Sequence, residues 1–132
     1  MKGIAKIYLD NQLVGEFRNL ITTTGMEWIA QRIGDSSSDP FKYIAVGTGL
    51  TPASPTDTSL QNEVDRVLSE ITINQRQITY VATFVLGSYD LSEFGLFDAA
   101  TDGIMFSRYC TGSIIQNKPA TSELKLQYQI TV

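Results

Sequence analysis

Alternation of apolar and polar positions is strictest in the last ten residues of this chain. Leu124, Leu126, Tyr128, Ile130 and Val132 face one way, and Glu123, Lys125, Gln127, Gln129 and Thr131 the other. A period of two sends neighbouring side chains to opposite sides of a strand, one side buried and one wet. The same period runs through Ile78, Tyr80, Ala82, Phe84 and Leu86. Turn residues Gly87 to Asp90 then precede Leu91, Phe94, Leu96 and Phe97, and Asp98 to Gly103 precede Ile104, Met105 and Phe106. Short apolar runs bounded by Gly, Asp and Ser read as strands, so Tyr80–Tyr109 predicts a three-stranded antiparallel meander. Near the start, Gly3–Leu9 and Leu13–Phe17 flank the turn pair Asp10-Asn11, which predicts a hairpin over 3–17. Phe41–Val46 predicts a strand, and Arg66–Ile73 another, with Val67, Ile71 and Ile73 on one face. Asn74-Gln75-Arg76 predicts the turn from that strand into the next.

One stretch changes period. Met26, Ile29, Ala30 and Ile33 recur at three- and four-residue spacing, behind a capping box formed by Thr24 and Glu27. Gly34 stands at the C′ position and the polar run Asp35–Asp39 follows, so a helix is expected over about 24–33. Trp28 falls beside its apolar face, as an anchor at the edge of the core. Asp57 or Thr58 is expected to cap a short helical turn through Val64, with Leu60 and Val64 inward. Thr111–Ala120 reads as polar and irregular. About eight strands and one short α-helix, without βαβ alternation, predict a mainly β, single-domain fold over 1–132: an antiparallel β-sandwich or flattened barrel.

Composition narrows the chemistry. A chain of 132 residues with 42% hydrophobic content builds one core. The net charge of −4 and the scattered Lys and Arg argue against a nucleic-acid partner. No run approaches the roughly 20 apolar residues of a membrane span, and the N-terminus lacks a signal-peptide pattern, so a soluble protein made in the cytoplasm is expected. Histidine is absent and Cys110 is the single cysteine, which excludes an intrachain disulfide and a histidine-activated thiolate. Glu63 and Asp65, two residues apart, would share one side of a strand, and they read as surface carboxylates. Asp98 and Asp102 bound a DAATDG turn that lacks the ligand spacing of a calcium loop. Gly47-Thr48-Gly49 has neither the Lys-Ser/Thr pair nor the helix of a phosphate loop. The expectation is a protein with no catalytic residues, no cofactor and no metal.

Several runs resemble small virion structural proteins of tailed bacteriophages, of head-decoration, tail-fibre or tail-collar type. They are Asn19-Leu20-Ile21 ahead of the helix, Tyr43-Ile44-Ala45-Val46-Gly47-Thr48-Gly49, and Thr58-Ser59-Leu60-Gln61-Asn62-Glu63 followed by Arg66. The fourth is Ser92-Glu93-Phe94-Gly95-Leu96-Phe97-Asp98 with Gly103 and Arg108; together they span about residues 19–132. Phe94 departs from the pattern, where Ile or Ala is more usual. The resemblance implies a homo-oligomer in the virion, a trimer as first expectation, with Glu93, Phe94, Gly95, Leu96, Phe97, Arg108 and Trp28 as interaction residues. With no shaft repeat and no coiled coil, a capsid decoration (cement) protein bound to the major capsid protein is favoured over a tail, collar or neck component. A carbohydrate-binding sandwich using Trp28, Tyr43, Tyr80, Tyr89, Tyr109 and Tyr128 is the alternative of another class. Glu93 buried alone would be costly, so it either faces a partner such as Arg108 or Arg66 or lies on the wet face. Gly95 permits a bulge or a close backbone approach. By exposure, the N-terminal hairpin and the Thr48–Thr58 loop are the candidate contacts with a virion partner.

Overall fold

The computed structural model describes residues 1–34 and 39–132. Its first sheet comprises β1 (Lys2–Leu9), β2 (Gln12–Arg18), β6 (Glu70–Asn74), β7 (Gln77–Phe84) and β12 (Leu124–Thr131), in the order β2-β1-β12-β7-β6. The second comprises β3 (Leu20–Ile21), β4 (Tyr43–Gly47), β5 (Glu63–Leu68), β9 (Glu93–Phe97) and β10 (Met105–Tyr109), in the order β3-β10-β9-β4-β5. A ribbon of β8 (Tyr89–Leu91) and β11 (Gln116–Lys118) stands beside them. All pairings are antiparallel, and the inward residues of both sheets share one core, so the mainly β sandwich expected from the sequence is formed. More strands form than the eight expected, because several are only two or three residues long. Among the described residues, no helix is long and apolar enough to cross a membrane.

The last strand lies at the middle of the first sheet, paired along its whole length with β1 on one side and β7 on the other. Leu124, Leu126, Tyr128 and Ile130 are buried as their period demands, while Val132 is exposed. The β1–β2 hairpin turns at Asp10 and Asn11, both at positive φ, the backbone that Asp and Asn tolerate best. The Asp10 carboxylate accepts hydrogen bonds from the Glu123 N–H and the Ser122 hydroxyl, the first of which chiefly holds its pKa below the ordinary value.

Four expectations are corrected. The Tyr80–Tyr109 meander does not form: β7 belongs to the first sheet and only β9 and β10 pair as neighbours, because residues 85–92 carry the chain across the sandwich. Arg66–Ile73 is not one strand either. The Ser69 hydroxyl and N–H both donate to the Lys42 carbonyl, at 2.6 and 2.8 Å, and the chain bends there from β5 in one sheet to β6 in the other. No helical turn forms over 57–64. Val64 lies exposed on β5, while Leu60 is buried under the loop.

The helix α1 spans Thr23–Gly34, but its cap is Thr22 rather than a box of Thr24 and Glu27. Thr22 Oγ1 accepts from the Gly25 N–H at 3.0 Å and donates to the Met105 carbonyl at 2.7 Å, so the cap also rivets the helix to β10. Gly25 makes this possible, since a Cβ there would lie 2.9 Å from Phe106 Cα. The face laid on the core is accordingly Gly25, Trp28 and Ile29, while Met26 and Ala30 point to solvent. The Ile33 side chain and residues 35–38 of the expected polar run lie outside the described residues. Trp28 packs 4.2 Å from Phe41, which in turn stacks on Phe106.

Leu126→Ala, at the centre of the first sheet, is expected to cost about 2–5 kcal/mol through lost burial and a residual cavity. Gln129→Ala on the same strand's outer face should stay within about 0.5 kcal/mol, both read from urea-unfolding midpoints. Tyr80 and Tyr128 sit opposite each other on β7 and β12 with their rings edge to face. Burial pushes the Tyr80 hydroxyl to about 12 and Tyr128 well above its ordinary value. An unfolded tyrosine ionises near 10, so their contribution is intact below about pH 10 and is lost as pH rises through the folded values. The unfolding midpoint should fall between about pH 10 and 12, less steeply in Tyr80→Phe.

Candidate functional site

Strand β9 has core on one side and a roof on the other, so all five of its residues are buried. Phe94 and Leu96 point into the sandwich. Glu93, Gly95 and Phe97 point to the outer face, where residues 48–62 fold back over the sheet and Leu60, Ala45, Phe97 and Met105 make a small second core. A loop over a sheet must satisfy its own backbone amides, and this one directs those of Gly49, Gln61 and Asn62 to one carboxylate.

Glu93 is the hub. Its Oε2 accepts from the Gly49 N–H at 2.7 Å and the Asn62 N–H at 2.8 Å, and its Oε1 accepts from the Gln61 N–H at 2.9 Å. Arg108 donates to the same Oε1 from Nε at 3.1 Å and Nη2 at 3.0 Å. Arg108 then reaches outward, from Nη1 to Asp57 Oδ2 at 2.8 Å and from Nη2 to the Thr51 carbonyl at 2.8 Å. Asp57 Oδ2 also accepts from the Ser54 N–H at 2.9 Å. Both members of the inner pair are buried. Burial opposes the Arg108 charge, but the hydrogen bonds and charges of Asp57 and Glu93 outweigh it and raise its pKa above the ordinary value. The Ser92 hydroxyl closes the near end of the loop by donating to the Gly49 carbonyl at 2.5 Å.

The glycines of the Gly47-Thr48-Gly49 run exist for this hub. A Cβ on Gly47 would lie 2.8 Å from Glu93 Oε2, and one on Gly49 would strike the same oxygen. Gly95, opposite Arg108 in the β9–β10 register, lets Leu60 pack over the strand, and the register shifts between Met105 and Ser107. The close approach allowed by the sequence therefore occurs at Gly95, while the irregularity falls on β10 and not at Gly95.

Of the interaction residues expected from the sequence, the structure brings Glu93 and Arg108 into direct contact and encloses Phe94, Gly95, Leu96 and Phe97. None of these six presents a surface to a partner, because the 48–62 loop covers one side and the core the other. Trp28 lies apart, half-buried at the helix. Arg66 serves a separate network: it pairs with Glu63 at 2.6 Å, stacks 3.8 Å over Phe97, and donates to the carbonyls of Ala99 and Asp102. That ties down the DAATDG turn, whose Asp98 accepts from the Ile104 N–H at 2.7 Å. Gln61 and Asn62 were not legible as partners of Glu93, nor Asp57 as the partner of Arg108, since contacts 31 to 51 residues apart leave no periodicity. The pair of glycines was the available signal.

Other features fell outside the sequence reading. Lys118 is buried in the segment read as irregular, its Nζ donating to the Gly87 carbonyl at 2.7 Å and lying 5.6 Å from the Tyr89 ring. Cys110 is buried just past β10, its thiol donating to the Gly49 carbonyl at 3.4 Å. Tyr80 and Tyr128 are core residues and Tyr109 stacks on Phe94, so these rings are committed to packing. The described residues contain no cluster of three or more metal-ligating side chains.

Removing one member of a buried ion pair leaves the other uncompensated, so Glu93→Ala is expected to cost about 3–5 kcal/mol in denaturant unfolding. Glu93→Gln should also destabilise, by about 1–3 kcal/mol, since every contact to this carboxylate comes from a donor and an amide nitrogen cannot accept. A Glu93→Gln protein as stable as the wild type would overturn the hub. No protein-family description matches this chain, and neither a curated protein nor a solved structure shows significant similarity to it.

Proposed function

We propose that this chain is a virion structural protein of a tailed bacteriophage, most directly a capsid decoration protein that binds the major capsid protein as a homo-oligomer. The observation that carries the proposal is the coincidence of two sets of residues. Six residues within the resembling runs, Gly47, Gly49, Asn62, Glu93, Gly95 and Arg108, are also among those that hold the 48–62 loop to the outer face of the second sheet. Such a clamp has no free acid or base. Glu93 has both oxygens saturated, and the role left to the network is to hold a shape.

A loop ordered before it meets a partner binds without the entropic cost of becoming ordered there. Here the ordered loop lifts Leu50 to the surface with 51% of its area exposed, and Pro52 and Thr56 of the same loop are exposed too. A decoration protein adds binding free energy to a shell across capsomer boundaries, and a rigid loop tipped by an apolar side chain suits that task. The chain carries no charge pattern suited to nucleic acid, and its role is proposed to be non-catalytic.

Incubating the purified protein with expanded capsids lacking their decoration, followed by electron cryo-microscopy, tests the proposal. Added density at regular lattice points supports a decoration protein, whereas binding only at a vertex or tail assigns it to the tail or collar. Glycan-array binding without particle binding overturns both in favour of host-surface recognition. Leu50→Asp should weaken particle binding by about tenfold or more, the effect of losing one central apolar contact, with no change in unfolding midpoint.

A further inference from the structure

Strand β6 ends the first sheet, and among the described residues its outer edge has no strand beside it. Its sequence, Glu70-Ile71-Thr72-Ile73-Asn74, holds no proline and no lysine, and its register with β7 runs without a bulge. Proteins that keep such an edge in water usually carry one of those guards. Ile71 and Ile73 lie opposite Tyr80 and Ile78 and so belong to the core-facing side of the sheet. They are nevertheless 41% and 69% exposed, because the helix stops short of them. Between them and Trp28, Ile29, Ile130 and Val132 runs an apolar groove of about 350 Å³.

We propose that β6 pairs antiparallel with β6 of a second copy of this chain, about a two-fold axis through Thr72. The strand is self-complementary in that register alone. Thr72 then faces Thr72 of the partner, each Ile71 faces an Ile73, and each Glu70 faces an Asn74 instead of another carboxylate. Sliding by one residue turns the isoleucines against the wet face. Sliding by two sets Ile73 against Ser69 or Ile71 against Gln75. In the two-residue hairpin Asn74 and Gln77 bond to each other, so the backbone groups of Ile71 and Ile73 point away from β7, free to pair. Charge agrees as well. Glu70 and Arg76 form no ion pair within the described residues, and this register sets each Glu70 diagonally across from the other chain's Arg76. The two first sheets become one continuous sheet, and the four isoleucines cover one another over the paired grooves.

The contact gives a geometry to the homo-oligomer proposed above, yet it is decided in solution, so its failure and that of the virion reading are separable. The 132-residue chain should sediment at micromolar concentration with twice its 14.6 kDa mass. Ile73→Lys should return it to the monomer with an unchanged thermal melt, since that side chain is mostly exposed. Thr72→Cys should form a disulfide-linked dimer on mild oxidation; the native Cys110 is buried and does not compete. Its rate should exceed that of Val14→Cys, on the exposed edge strand β2, by about tenfold or more, as pre-association raises the local thiol concentration. A wild type that stays monomeric, an oligomer that survives Ile73→Lys, or Thr72→Cys cross-linking no faster than Val14→Cys would each overturn the pairing.

Discussion

One carboxylate organises the second half of this structure. Glu93 is inside the protein, where an isolated charge is prohibitively expensive. It is kept there by three backbone N–H groups and a guanidinium, which together replace the water it has lost. The reverse dependence is as strict: the amides of Gly49, Gln61 and Asn62 point inward, and without Glu93 they have nothing to donate to. Loop and strand are therefore mutually obligatory. Buried ion pairs often contribute little net stability against an apolar replacement, but they penalise every arrangement in which the partners are mispaired. In this chain the charge specifies which loop conformation lies over β9 more than it adds to the depth of the fold.

Around that point the structure is built from two unlike sheets. The first has one face in the core and one face wet, and its strands alternate accordingly. The second is covered on both sides near β9, by the sandwich core and by the loop roof. Two devices connect them: the Ser69 bend, which lets one run of chain serve both sheets, and Thr22, which begins the helix while bonding to β10. In each, a small hydroxyl side chain satisfies a carbonyl at a place where regular pairing has to stop.

Legibility in the sequence followed this division. The alternation of Leu124–Thr131 and of Ile78–Phe84 was plain because these strands have a dry and a wet face. The Asp10-Asn11 turn was equally plain, because its backbone demands those residue types. The register partners of Tyr80–Tyr109 were not, since apolar periodicity tells which face is buried but not which sheet a strand joins. Arg66–Ile73 kept its alternation straight through a bend, because Ser69 fits a strand pattern as well as a corner. At the site, the cost of burying Glu93 alone pointed to an arginine partner but left Arg108, Arg66 and the wet face open. Gln61 and Asn62 entered through their backbone N–H groups and Asp57 through an ion pair 51 residues away, neither of which composition encodes.

The position of β12 carries a consequence for how the molecule comes into being. Its two neighbours, β1 and β7, never touch each other; each waits for residues 124–131. During synthesis the N-terminal hairpin can close as soon as it leaves the ribosome, and so can the β6–β7 hairpin. The first sheet stays open until its central strand emerges more than a hundred residues after β1. For that interval the nascent chain exposes two unpaired strand edges and half a core. Assembly of this sheet is thus governed by long-range loop closure, and its open edges are exposed meanwhile to intermolecular strand pairing.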